Sequence, residues 1–165
     1  MKEIRHYSTK EFSTFSSNFM SQNINIAQNI KENLVLKAHV ISEFTLNCYI
    51  QSISKQRNLN MFKQNITYSK KIFLAEQFGN LPFEVIEILK KLNTIRNDYA
   101  HKLILDDLNL SLMLKKIILF YNQNNHDNIT LDESNISEYF RNFSFLLSYI
   151  NGYIFGIYKL TTNHK

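Results

Sequence analysis

At 165 residues the chain is about one domain long, enough to bury roughly 70% of the surface its unfolded form exposes, so a real core is available. Nineteen Lys plus Arg against 14 Asp plus Glu give a net charge of +5, which favours a polyanion but falls well short of a dedicated nucleic-acid tail. The one cysteine, Cys48, excludes an intramolecular disulfide, and its apolar neighbours mark it as a small buried hydrophobe in a reducing cytoplasm.

The opening stretch, MKEIRHYSTKEF, lacks the apolar run and cleavage site that export requires, so a cytoplasmic location is expected. Three Gly and one Pro leave few breakers, and strict alternation of apolar and polar residues never persists. The expected fold is all-α: one domain, residues 1–165, an antiparallel helical bundle of about five to six helices with short connections. Ser8 to Glu11 has the capping-box spacing and starts a first helix near residue 9 that runs to about 30. A second, apolar around its axis, covers about 31 to 56, and the polar stretch QRNLNMFKQN follows it.

The third helix, TYSKKIFLAEQF, stops at Gly79, which suits the left-handed residue that ends helices. Pro82 fits the first turn of the fourth, about 82 to 104, where a missing N–H costs nothing. Asp106 and Asp107 end that helix rather than bind Mg²⁺, and a fifth covers about 108 to 122. After the loop NQNNHDN, a second capping box, Thr130 to Glu133, places the start of the sixth helix near 131, and it runs to about 160. Its stretch FSFLLSYINGYIFGIYKL carries Gly152 and Gly156 at close-approach spacing, but Ser144, Ser148 and Asn151 interrupt it. A core or dimer-interface helix is therefore expected, not a membrane span.

The fourth helix carries the residues with chemical interest. On a helical wheel Val85, Leu89, Leu92, Tyr99 and Leu103 form one stripe, and Arg96 falls inside it. A guanidinium there needs a carboxylate or phosphate, because an unpaired buried charge is expensive. Asn97 and His101 lie one turn apart on an adjacent face, where Asn97 can orient the imidazole, while Asp98 points to solvent. In the second helix His39, Glu43 and Asn47 make one polar line, and Glu43 is the candidate partner for Arg96. Two accounts of these residues stay open: a salt bridge that fixes the register of two helices, or nucleic-acid chemistry in which Arg96 holds a phosphate and His101 moves a proton. Metal-independent cleavage requires RNA, whose 2′-OH is the internal nucleophile. One imidazole cannot serve as both acid and base, so a second copy of the motif across a dimer interface, or water, has to assist.

The stretch LNTIRNDYAHKL resembles the Arg-Asn-x-x-Ala-His signature of HEPN-like proteins, and the helix order is similar to the mannitol operon repressor-like branch, over about residues 30 to 105. The resemblance implies a HEPN-like bundle whose Arg96, Asn97 and His101 form a metal-independent ribonuclease site assembled by two subunits, in a toxin or phage-defence setting. An antitoxin or regulatory protein partner is then expected. Toxins of this kind that are paired with nucleotidyltransferase antitoxins often carry a Tyr two residues after the His; here that position is Leu103, which does not support control by modifying such a Tyr. The repressor-like branch implies the alternative, a non-catalytic regulator or interaction protein in which the motif is structural. No helix-turn-helix with a basic recognition helix is evident, so sequence-specific DNA binding is not expected.

No cofactor is expected, because no Gly-rich phosphate loop exists. His6, His39, His126 and His164 lack the spacing of metal ligands, so no metal site is expected either. The Lys pairs at 70/71, 90/91 and 115/116 read as solvated faces.

Overall fold

The computed structural model describes residue 14 and residues 30–54, 59–102, 105–126, 128–132 and 135–163. The expected first helix and its Ser8 to Glu11 capping box lie outside the described residues, Thr14 apart. The described residues form five α-helices and no strand: α1 (Ile30–Ile53), α2 (Tyr68–Phe78), α3 (Phe83–Lys102), α4 (Asp107–Asn125) and α5 (Ile136–Asn163). The fold class is all-α, a helical bundle, as the absence of breakers and of alternation predicts.

The apolar helix α1 is the centre of the bundle and packs on α2, α3 and α5. Leu34, Val35, Ala38, Ile41, Leu46 and Tyr49 are all buried, a set that surrounds the axis and therefore needs neighbours on several sides. The most extensive packing joins α1 to α5, which runs in the same direction: Lys31 lies over the Tyr139 ring at the two starts, and Thr161 donates to Ser52 at 2.7 Å near the two ends. Phe143, Leu146, Leu147, Ile150, Ile154 and Phe155 form the buried stripe of α5, whereas Gly152 and Gly156 are exposed with open space where a Cβ would stand. Among the described residues no helix is long and apolar enough to cross a membrane. Cys48 is buried, and desolvation pushes its thiol up to about 12, so it packs as an inert hydrophobe.

Several helix ends differ from those expected. The polar stretch after α1 contains a 3₁₀ turn, Met61–Lys63, anchored where the Met61 N–H donates to Gln51 Oε1 at 2.6 Å. Helix α5 begins at Ile136, not near 131, because Asn135 is its cap: its Oδ1 accepts from the Glu138 N–H at 3.2 Å. The competing box at Thr130 loses because Asn122 clamps the backbone of Ile129, accepting from its N–H and donating to its carbonyl, which holds that segment away from helical geometry. Asp106 does not end α3; it caps α4, accepting from the Asn109 N–H at 2.9 Å. Pro82 sits one position ahead of α3, its carbonyl accepting the first helical bond from Ile86.

Gly79 is also not left-handed; its φ is −105° and its ψ −175°. The left-handed cap is His126, with φ 53°, at the end of α4. Glycine is required at 79 by crowding, since a Cβ there would collide with Ala75 O and Tyr49 Oη and lie 2.8 Å from Tyr49 Cε1. The Tyr49 hydroxyl occupies that space because it accepts from the Asn80 N–H at 2.7 Å and donates to Asn80 Oδ1 at 2.8 Å. Gly79→Ala is expected to destabilise the fold by about 2 to 3 kcal/mol, the cost of an overpacked site, read as a lower urea midpoint at an unchanged slope.

Candidate functional site

The site is built where α3 crosses α1 and α2. The buried residues of α3 are Val85, Ile86, Ile88, Leu89, Leu92 and Ile95. That stripe is rotated toward Ile88 and Ile95 relative to the expected one, which leaves Arg96 and Tyr99 at its edge, half-buried. Leu103 lies outside the described residues. Arg96 Nη1 donates to Asn97 Oδ1 at 3.0 Å, and Asn97 Nδ2 faces Asn93 Oδ1 at 3.5 Å. Asn93 lies near the His39 side chain on α1.

Glu43 does not pair with Arg96. Its carboxylate accepts from Lys71 Nζ at 2.6 Å, and the lysine side chain is only 5% exposed. Lys71 falls in the buried stripe of α2 with Tyr68, Ile72 and Ala75, so a charge inside that stripe demanded the nearest acid on α1. Arg96 has no carboxylate within ion-pair distance among the described residues, and the one acid beside it in sequence, Asp98, pairs with Lys102 at 3.5 Å.

His39 is buried, its ring centroid 4.2 Å from that of Tyr68 and tilted 45° to it. The Tyr68 hydroxyl is joined to Ser42 Oγ at 2.6 Å, and burial raises the proton affinity of that phenol. Burial drives the His39 imidazole down to about 4; the Arg96 guanidinium adds to the effect, Glu43 and Asn93 oppose it, and Lys71 adds a little more. The imidazole is therefore neutral at pH 7, and its Nε2 has no hydrogen-bond partner among the described residues.

The depressed value has a thermodynamic consequence. Above the ordinary histidine value of 6.5 both folded and unfolded chains carry a neutral His39, and its full contribution to stability is present. As pH falls from there toward 4, the unfolded chain binds a proton that the folded chain resists, and stability is lost on the order of 3 kcal/mol. Guanidinium unfolding at pH 7.5 and 4.5 is expected to show a loss about 2 to 3 kcal/mol larger in the native chain than in His39→Phe. An equal loss in both would contradict it.

Thus the structure brings Asn93, Asn97 and Arg96 together near His39 and leaves three expected residues, Glu43, His101 and Asn47, apart from them. His101 stands exposed in the last turn of α3, about 7.5 Å further along the axis than Arg96 and about 140° around it. Asn97 turns to Arg96 and Asn93, not to His101. Asn47 is buried, and its Oδ1 has no hydrogen-bond partner among the described residues. Asn93 is the participant missing from the sequence reading, and Lys71, expected on a solvated face, is instead buried against Glu43. Asn93 was findable as an amide one turn before Asn97 on the inward side of the helix, and Lys71 as a cation in an apolar stripe. Among the described residues no group of three His, Cys, Asp or Glu side chains gathers closely enough to hold a metal ion.

No protein-family model, curated protein or solved structure matches the chain.

Proposed function

We propose that the chain is a metal-independent RNA-cleaving HEPN-like protein of a toxin or phage-defence system. The observation that carries this reading is the state of Arg96: half-buried, held by Asn97, and without a carboxylate partner among the described residues. The acid nearest in expectation, Glu43, is engaged by Lys71. A guanidinium oriented by a neutral amide keeps its charge for a planar oxyanion, and a phosphodiester supplies one.

In this scheme Arg96 binds the scissile phosphate and neutralises the charge that develops in the pentavalent transition state. His101, open to solvent, takes the proton from the ribose 2′-OH as its oxygen attacks phosphorus and the bond to the 5′-oxygen breaks. The products are a 2′,3′-cyclic phosphate and a 5′-OH end. The leaving oxygen takes its proton from water or from a second imidazole. Arg96 and His101 diverge around one helix, which favours a homodimer in which His101 of one copy serves the phosphate held by the other.

The runner-up is a non-catalytic regulator similar to the mannitol operon repressor-like branch. The observation favouring it is that Arg96, Asn97 and Asn93 hold one another at the half-buried edge of α3, near the buried His39 of α1, as residues with a structural role would. Incubation of the purified chain with matched RNA and all-deoxy oligonucleotides in EDTA separates the two. The nuclease cuts RNA alone and leaves cyclic phosphate ends; intact RNA after exposure to the folded protein sinks the nuclease reading.

A further inference from the structure

We propose that Asn93 is a positioning residue for Arg96: with Asn97 it forms a two-amide relay along α3 that fixes the guanidinium. The inference rests on the reading of Arg96 as the phosphate-holding group.

An arginine side chain loses rotamer freedom when held in one geometry, so something rigid must hold it before the substrate arrives. The direct anchor of Arg96 is Asn97 Oδ1, 3.0 Å away. That amide cannot by itself serve, because its terminal torsion is nearly two-fold and a half-turn would present its NH₂ to the guanidinium, donor against donor. Asn93 removes the ambiguity. With Asn93 Oδ1 in front of Asn97 Nδ2 at 3.5 Å, the Asn97 oxygen is left facing Arg96.

Asn93 itself is half-buried, next in sequence to the buried Leu92 and near His39 of α1. His39 is 7% exposed and packed on Tyr68, whose hydroxyl is joined to Ser42. The relay therefore runs along the half-buried edge of α3, from Asn93 through Asn97 to Arg96. Its chemistry is also selective. Arg96 and Lys71 are the cations around His39, and Glu43 is the anion, already paired with Lys71. Amides at 93 and 97 convey orientation without neutralising the guanidinium. A carboxylate at 93 would hold Arg96 equally well and compete with phosphate for it.

The test uses the full chain labelled with ¹⁵N-arginine; its four arginines, 5, 57, 96 and 141, make the Arg96 signals assignable by loss in Arg96→Lys. Native protein is expected to show slowed rotation of the Arg96 guanidinium. In Asn93→Leu, which keeps the size and removes the amide, that rotation is expected to speed up by at least about tenfold, with kcat/KM on RNA falling roughly ten- to hundredfold. Asn93→Asp is expected to keep Arg96 restrained while losing RNA binding, and it serves as the second variant if the leucine chain does not fold. Unchanged Arg96 dynamics in Asn93→Leu, or full RNA binding in Asn93→Asp, overturns the proposal. Native protein that cuts no RNA, yet shows a restrained Arg96 that Asn93→Leu releases, overturns the nuclease reading and leaves the relay standing.

Discussion

Replacing Glu43 by alanine is expected to lower stability by about 3 kcal/mol, and replacing Lys71 by methionine in the same chain to recover most of that loss. The reason is asymmetry within the pair. The Lys71 side chain is 5% exposed and meets Glu43 Oε1 at 2.6 Å, so losing the carboxylate strands an ammonium in the core. Glu43 is 38% exposed, and water reaching its position places the cost at the lower end of the range for breaking a buried pair, about 3 to 5 kcal/mol. With both charges removed, an apolar side chain lies beside Tyr68, Ile72 and Ala75, where apolar packing replaces an ion pair at little net cost. Urea midpoints for the native chain, each single variant and the double variant give the coupling directly. A Glu43→Ala midpoint equal to the native one would mean that Lys71 reaches water. RNA cleavage per folded molecule is expected to change far less than stability, because Glu43 does not touch Arg96.

That last expectation marks where sequence and structure part. A wheel shows which residues share a face, and it put His39 and Glu43 on one line of α1. It does not rank two neighbouring helices that compete for one carboxylate. Lys71 won Glu43 because it sits deeper than Arg96, at a position where a bare charge costs more. The helices themselves were legible because few glycines and prolines interrupt them, and α2 ends at Gly79 as expected. The reason for that glycine was not legible, since the Tyr49 hydroxyl that crowds it comes from thirty residues away in sequence. The start of α5 failed for a related reason. Thr130 to Glu133 and Asn135 to Glu138 offer equally good local caps, and the choice between them is made by Asn122, on the preceding helix.

The largest functional effect is expected at His101. It is exposed in the last turn of α3, so its replacement by alanine removes no buried contact and stability is expected to stay within about 0.5 kcal/mol. Proton transfer by a positioned imidazole is worth roughly 10²- to 10⁴-fold, so RNA cleavage is expected to fall by that factor. Arg96→Ala is a poorer discriminator, because on the nuclease account it removes the phosphate-holding group and on either account it disturbs the Asn97 and Asn93 amides beside it on α3.

The decisive measurement is cleavage of a mixed RNA pool in EDTA by the native chain and by His101→Ala, with thermal melts of both alongside. The nuclease account expects cutting by the native chain, loss of at least about a hundredfold in the variant, and matching melts. No cutting by either chain, or equal cutting by both, would contradict it.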